Sequence, residues 1–248
     1  MAESSPSRPR LAQMARPQTP PPWSLVDLFS TILALAVVML VLGPAVTGIL
    51  FNNFSNPTPL MLLFSWLLGL LIITGFVWIT RRNQGAALRL SGESRWPLPY
   101  ALLVGVGAAL TIDLVAGLIA GFQPTAALTG IGQGSAGEWL LGGLFVALMQ
   151  PIAEGLIFQG VVLPRLRASF GGWVGFGAAA VLYTVYFAVV YGVRLSGPSL
   201  LWYGMIVPLF AALVLNTVRI YTESTRAAIL AAIGMGLTFL LAAIALAG

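Results

Sequence analysis

The sequence predicts an all-α protein, a polytopic transmembrane bundle of about seven helices, on three observations. Of its 248 residues, 58% are hydrophobic and only 8% are charged, which is the composition of a multi-pass membrane protein. Seven apolar runs are each long enough to cross a bilayer as a helix. The arginines fall between these runs on alternate connections. Because lipid cannot satisfy free backbone groups, helices with short connections are the architecture that these lengths permit.

The seven runs define the predicted spans. They are Leu28 to Phe51, Leu60 to Thr80, Leu98 to Phe122, Trp139 to Leu163, Trp173 to Tyr191, Leu200 to Val218 and Ala227 to Ala247. Residues 1–22 are rich in Pro, Ser and Arg and are predicted to form a disordered cytoplasmic tail, so residues 23–248 make up the predicted transmembrane bundle. A proline can break a span, and we expect such a break at Pro44 or Pro208 if one occurs.

Arginine placement predicts the orientation of the bundle. With a cytoplasmic N-terminus, eleven of the twelve arginines lie on the inner side and only Arg194 lies outside. Six of the seven tryptophans fall near predicted helix ends, where the ring favours the interface, and only Trp66 lies further in. Arginine without lysine fits a high-GC genome. We therefore expect a multi-pass protein of a bacterial inner (plasma) membrane.

The residue types that are absent exclude several kinds of chemistry. Cysteine and histidine do not occur, which excludes disulfides, thiolate nucleophiles, imidazole bases and ordinary zinc sites. The sequence also lacks a Walker loop, a dinucleotide fingerprint and the carboxylate spacing of a metal site. The basic excess is spread over loops, so nucleic acid is not an expected partner. We expect no metal and no cofactor, with membrane lipids as partners.

Two carboxylates fall within predicted spans, Asp113 in the third and Glu154 in the fourth. Ionisable groups at that depth are candidates for function. For Asp113, a hydrogen bond to Thr111 or to a nearby tyrosine is favoured over a proton or ion site.

Glu154 lies in a helix whose small and polar residues share one face. Spacings of three and four residues place Gly143, Ala147, Gln150, Glu154 and Phe158 on one stripe, which should face the interior of the bundle. Pro151 cannot donate a backbone hydrogen bond, so a kink is expected one turn before Glu154.

The segment from Gln150 to Arg167, Gln-Pro-Ile-Ala-Glu-Gly-Leu-Ile-Phe-Gln-Gly-Val-Val-Leu-Pro-Arg-Leu-Arg, resembles the signature helix of the CPBP family, also called the ABI or CAAX-protease family. Members are intramembrane glutamate-dependent peptidases with a Glu-Glu-x-x-x-Arg motif, then Phe-x-x-x-His and His-x-x-x-Asn in later helices. The resemblance extends from about residue 98 to residue 248. It implies a CAAX-protease-like helical core over this part of the chain.

Matched residue by residue, the resemblance keeps one member of the catalytic set. Glu154 occupies the place of the first glutamate. The other positions are Gly155 for the second glutamate, Gln159 for the arginine, Tyr191 for the first histidine, Ala232 for the second histidine and Gly236 for the asparagine. Peptide hydrolysis needs a base, an oxyanion stabiliser and an oriented water or metal, so a lone Glu154 predicts a pseudoprotease.

Three functional hypotheses follow. The first is a catalytically inactive scaffold or accessory subunit of a larger membrane complex, for example respiratory or photosynthetic, whose partners are other integral membrane subunits. Stripes of small residues, which let helices approach closely, favour this hypothesis; they contain Gly142, Gly143, Gly234 and Gly236. The second is a divergent intramembrane peptidase that uses Glu154 with Gln159 and Tyr191. The third is a small transporter or a bundle that binds lipid, pigment or quinone, with a cavity lined by Asp113, Glu154, Asn216, Tyr183, Tyr186 and Tyr191.

Overall fold

The structure, a computed structural model, describes residues 10–16, 18–55, 57–90, 94–120, 136–192 and 195–247. In these ranges every regular element is a helix, and seven helices are long and apolar enough to cross a membrane, as predicted. After a short helix α1 (Arg10–Ala15), they are α2 (Leu25–Phe51), α3 (Pro59–Gln84), α4 (Leu98–Ala120), α5 (Ala136–Phe170), α6 (Gly172–Val190), α7 (Gly197–Thr222) and α8 (Thr225–Ala247).

Side-chain caps set where the first two spanning helices begin. The Ser24 hydroxyl accepts from the backbone N–H of Asp27 at 3.1 Å, and the Asp27 carboxylate accepts from the backbone N–H of Ser24 at 2.7 Å. This reciprocal pair satisfies two N–H groups at the start of α2. In α3 the Thr58 hydroxyl accepts from Met61 N–H at 3.3 Å, and Pro59 occupies the first turn, where no N–H is needed. A polar residue therefore marks each of these two boundaries.

Wide π-helical turns accompany the prolines within the spans. Each ends two residues before a proline: Val38–Leu42 before Pro44, Phe145–Met149 before Pro151, Gly155–Val162 before Pro164 and Leu200–Ile206 before Pro208. Proline lacks an N–H and its ring crowds the preceding turn, and a widened turn relieves that crowding without ending the helix. Neither Pro44 nor Pro208 breaks its span. At Pro151 the predicted irregularity takes the form of a widened turn.

Glycines allow the last helix to lie very close to its neighbours. A Cβ at Gly105 in α4 would collide with the backbone of Ala231 in α8, and a Cβ at Gly234 would collide with the Leu102 carbonyl. A Cβ at Gly236 would collide with the Val146 carbonyl of α5. Two members of the predicted small-residue stripes, Gly234 and Gly236, thus serve packing within the chain.

The N-terminal segment differs from the predicted disordered tail over the residues that the structure describes. Residues 10–15 form a helix, and the Arg167 guanidinium donates to the carbonyls of Met14 and Arg16 at 3.0 and 2.8 Å. Trp23 Nε1 donates to the Val161 carbonyl of α5 at 3.1 Å. Residues 1–9 and 17 lie outside the described ranges, as do residues 121–135 between α4 and α5. Met14, Arg16 and Trp23 therefore anchor the described part of this segment to α5.

Arginines gather at the end of the bundle where α3, α5 and α7 finish, called here the arginine end. Glu223 accepts from Arg89 at 3.0 Å and from Arg95 at 2.7 Å. The buried Arg219 donates from Nε to the Thr225 hydroxyl at 2.9 Å, and that hydroxyl donates to the Leu88 carbonyl at 2.6 Å. Arg194 lies outside the described residues. The arginines described here follow the predicted one-sided pattern.

Candidate functional site

Glu154 lies in the most deeply buried part of the bundle. Its side chain is 3% exposed, and it is followed by eight residues that are all buried, from Gly155 to Val162. The widened turn over these residues begins directly after Glu154. A carboxylate in this position has no bulk water to solvate it, so hydrogen-bond donors must come from the surrounding helices.

Three donors converge on the Glu154 carboxylate. Tyr183 donates to Oε2 at 2.7 Å and Tyr191 donates to Oε1 at 2.9 Å. Gln150, one turn earlier on the same helix, donates to Oε1 at 3.2 Å. This last contact joins two residues of the stripe that the sequence predicts to share one face. No arginine contacts Glu154 within the described part of the chain, so neutral groups alone hold this acid.

A further hydrogen bond, between two tyrosine hydroxyls, shows which groups donate and which accept in this network. The hydroxyls of Tyr186 and Tyr191 lie 3.1 Å apart. A tyrosine hydroxyl has a single proton, and Tyr191 gives its proton to Glu154. Tyr186 must therefore donate to Tyr191. All of these protons point towards Glu154, which makes residue 154 the acceptor of the whole cluster.

Aromatic rings form a wall beside the carboxylate. The ring centre of Tyr191 lies 5.2 Å from Trp66 in α3, 5.7 Å from Phe145 in α5 and 4.9 Å from Phe187 in α6. Trp66 and Phe145 stack with centroids 5.6 Å apart. These separations are those of favourable aromatic pairs. Rings from three helices therefore hold Tyr191 in the position from which it donates to Glu154.

A cavity of about 320 Å³ opens against this cluster. All six positions taken from the sequence motifs line it, namely Glu154, Gly155, Gln159, Tyr191, Ala232 and Gly236. They come from α5, from the end of α6 and from α8, so the fold brings together positions that are up to 82 residues apart, from 154 to 236. The residue-by-residue matching of these positions to the family's catalytic set stays a prediction.

An apolar side chain and a backbone carbonyl fill the space beside two of the glycines that the resemblance matches to catalytic positions. A Cβ at Gly155 would lie 2.6 Å from Ile229 Cγ1, so the branch of Ile229 occupies the room of the family's second glutamate. Gly236 faces the Val146 carbonyl so closely that no side chain fits between the helices. In this packing, neither position has room for a larger side chain.

At the position of the family's arginine, Gln159 presents a neutral amide. Its Nε2 donates to Asn216 Oδ1 at 3.2 Å, and Asn216 Nδ2 donates to the Phe176 carbonyl at 3.4 Å. The Phe176 carbonyl can only accept, which fixes the orientation of both amides. Gln159 Oε1 is buried and has no hydrogen-bond partner among the described residues. Gln159 therefore adds an unpaired acceptor to the site and no positive charge.

The remaining polar candidates from the sequence are divided between the cavity and its surroundings. Tyr183 lines the cavity, whereas Tyr186, Asn216 and Asp113 are not among its lining residues. Asp113 lies instead near Tyr203 of α7, close enough for its charge to act on that hydroxyl. Thr111 donates to the carbonyl of Gly107 in its own helix. Within the described residues, no three carboxylates approach one another as metal ligands would.

Sequence reasoning missed three residues that shape the cavity. Glu138, at the start of α5, is a second carboxylate of the lining, and Trp66 and Phe145 supply much of the aromatic wall. Only Trp66 carried a usable signal, because it is the one tryptophan predicted to lie away from an interface. Glu138 and Phe145 had no local pattern that distinguished them from interfacial and core residues.

Comparison with known proteins agrees with this geometry. No curated protein and no solved structure matches the chain. The model of the family described as type II CAAX prenyl endopeptidase Rce1-like matches residues 136–238. That segment runs from the start of α5 into α8 and includes all six motif positions. Residues 136–238 are therefore similar to the Rce1-like type II CAAX prenyl endopeptidases, which agrees with the CPBP-family resemblance seen in the sequence.

Proposed function

We propose that this chain is a catalytically inactive Rce1-like protein that acts as a scaffold or accessory subunit of a larger membrane complex. One observation carries the proposal. Around the cavity where the family's catalytic set would stand, Glu154 is the sole match to that set, and Ile229 and the Val146 carbonyl fill the places of two others.

The hydrogen bonding of Glu154 also argues against peptide hydrolysis. An oxyanion needs donors aimed at the reacting carbonyl. The hydroxyl protons of Tyr183 and Tyr191 are both given to Glu154, and the amide protons of Gln150 point the same way. These groups stabilise the acid, and none of them is directed at a substrate. A base without an electrophilic partner is a poor catalyst.

The outer surface of the bundle suits association in the membrane. On α4, Leu103, Leu110, Leu114 and Leu118 are between 57% and 75% exposed. Such a face is in contact with lipid or with a neighbouring helix of another subunit. We place the chain in a bacterial inner membrane with the arginine end on the cytoplasmic side, because arginines favour that side. Partner subunits would pack against these apolar faces.

Native purification tests this proposal. The full chain, tagged at its C-terminus, is extracted from its own membranes in a mild detergent and analysed by native mass spectrometry. We expect the tagged chain to co-purify with other integral membrane proteins in a fixed ratio. A lone chain surrounded only by lipid would contradict the scaffold role.

The peptidase alternative has one observation in its favour, because Glu154 lines a cavity that could admit part of a substrate. It is tested by comparing membrane-protein termini in cells that carry the native chain, Glu154→Gln or Asp113→Asn. We expect identical termini in all three strains. Processing that is lost in Glu154→Gln and kept in Asp113→Asn would favour the peptidase.

A further inference from the structure

One buried acceptor in the cavity lining lacks a donor among the described residues. Gln159 lines the cavity and is 1% exposed, and its Oε1 is buried without a hydrogen-bond partner. The hydroxyl protons of Tyr183 and Tyr191 are given to Glu154. The amide nitrogen of Gln159 donates to Asn216. Because an unpaired acceptor in an apolar surrounding is costly, a donor carried by an occupant of the cavity would stabilise this site.

The widened turn of α5 places this acceptor on the same side of the helix as Glu154. Gly155–Val162 form a π-helical turn, in which hydrogen bonds link residues five apart. Glu154 and Gln159 have this separation, and both line the cavity. Asn216 accepts from Gln159 Nε2 and donates to the Phe176 carbonyl, which fixes the orientation of the Gln159 amide. Oε1 is therefore the end of this amide that is left for an occupant.

The number of unpaired acceptors indicates which polar group fits. Among the described lining residues, Gln159 is the one with a buried, unpaired side-chain acceptor. A hydroxyl group brings one donor proton, whereas a primary ammonium group brings three and a charge. Removing a charged group from water into a mainly apolar cavity also costs far more than removing a neutral hydroxyl. A neutral hydroxyl group therefore matches the site best.

The cavity walls indicate what the hydroxyl is attached to. Trp66, Phe145 and Tyr191 line the cavity, and their ring centres are 5.2 to 5.7 Å apart. Rings in this arrangement pack favourably with a further aromatic ring. The volume of about 320 Å³ lies in the range of small-molecule sites. Aliphatic side chains that suit an alkyl substituent complete much of the lining, among them Leu62, Leu63, Val207 and Leu215.

We propose that this cavity binds a hydrophobic phenol. The phenol ring packs against the aromatic wall, its alkyl substituent follows the aliphatic lining, and its hydroxyl donates to Gln159 Oε1. Phenol binding is separate from the scaffold role, and either can fail without the other.

Competition binding tests the proposal on the full chain in nanodiscs. The probe is tritiated 4-hexylphenol, with binding to empty nanodiscs subtracted and concentrations measured in the lipid phase. The unlabelled competitors are 4-hexylphenol, 4-hexyltoluene, in which a methyl group of similar size replaces the hydroxyl, and 4-hexylanisole, which keeps the oxygen without its proton. We expect saturable binding and a roughly tenfold preference for the phenol over both other compounds. No saturable binding, as for a cavity that holds only water, or equal competition by the three compounds would overturn the proposal without any variant.

Two variants assign the preference to Gln159. Gln159→Met keeps the length of the side chain and removes the acceptor, so affinity for the phenol should fall about tenfold while that for 4-hexyltoluene stays unchanged. Gln84→Met is the matched control, because Gln84 Oε1 is also buried and unpaired among the described residues but does not line the cavity. Its affinity should equal that of the native chain. Full preference for the phenol in Gln159→Met, or an equal loss in Gln84→Met, would refute the assignment.

Discussion

Glu154 and Gly155 are neighbours in the chain, and the fold treats them in opposite ways. The Glu154 carboxylate is held by three donors beside an open cavity. Next to it, the space above Gly155 is occupied by Ile229. The polar half of the site, around Glu154, faces the cavity, whereas the half around Gly155, where the resemblance places the family's second glutamate, is closed by the side chain of Ile229.

The last helix shows the same contrast over one turn. Ala232 and Gly236 both line the cavity, yet only Gly236 lies against the Val146 carbonyl of α5. Helix α8 can come this close only because a glycine occupies that position. Restoring the family's side chains would require α8 to move away from α5. The glycine at position 236 and the close packing of α8 against α5 are therefore linked in this chain.

The largest loss of stability is expected where a side chain is added between the closely packed helices α5 and α8. Gly236→Ala adds a Cβ that collides with the Val146 carbonyl, and we expect a loss of about 3 kcal/mol in the free energy of unfolding. Gly107→Ala is the matched control, because nothing lies within 4 Å of a Cβ there. Thermal unfolding in detergent measures both. Equal stability of the two variants would show that the helices are not in such close contact.

The next largest loss of stability is expected from removing the Glu154 carboxylate. Glu154→Leu removes the acceptor of Tyr183, Tyr191 and Gln150, and we expect it to cost about 2 kcal/mol because buried donors lose their partner. Glu154→Gln keeps an acceptor oxygen and should cost less than about 1 kcal/mol. A Glu154→Leu variant that is more stable than Glu154→Gln would show that the buried carboxylate destabilises the fold.

A double variant sharpens the contrast between Glu154 and Gly155. Gly155→Ala should cost about 1.5 kcal/mol because its Cβ would meet Ile229 Cγ1 at 2.6 Å. In an Ile229→Ala background the same change should cost almost nothing, since the obstructing branch is gone. The coupling energy is read from four unfolding curves. Additive effects would mean that Ile229 does not fill that space.

The smallest losses of stability are expected from removing single tyrosine hydroxyls, and they should differ between Tyr183 and Tyr186. Tyr183→Phe removes a direct hydrogen bond of 2.7 Å to the carboxylate and should cost about 1 kcal/mol. Tyr186→Phe removes a longer hydrogen bond, 3.1 Å between the hydroxyls of Tyr186 and Tyr191, so about half of that cost is expected. Both changes keep the aromatic ring. A larger cost for Tyr186→Phe would contradict the direction assigned to the network.

Much of the fold could be predicted because span length and apolar composition are local properties. The seven spans were found from them, although α5 runs from Ala136 to Phe170 and extends past the predicted end at Leu163. The charged residues Arg165 and Arg167 suggested a loop after that point. The structure keeps both residues helical, and the carbonyls of Met14 and Arg16 accept from the Arg167 guanidinium.

The candidate site was only partly predictable. The contact of Gln150 with Glu154 follows from their spacing of one helical turn, and Tyr191 was reached through the resemblance to the family. Trp66 comes from a helix outside the matched segment, so no local pattern places it beside Tyr191. The closure of Gly155 by Ile229 depends on how two distant helices pack, and a sequence pattern does not contain that information.

A cleavage assay tests the central claim most directly. The chain is reconstituted in liposomes with a farnesylated CAAX peptide, the type of substrate in the description of the matching family model, and the products are measured by mass spectrometry. We expect no release of the residues that follow the prenylated cysteine beyond the level seen with Glu154→Gln. Release by the native chain that disappears in Glu154→Gln would contradict the account.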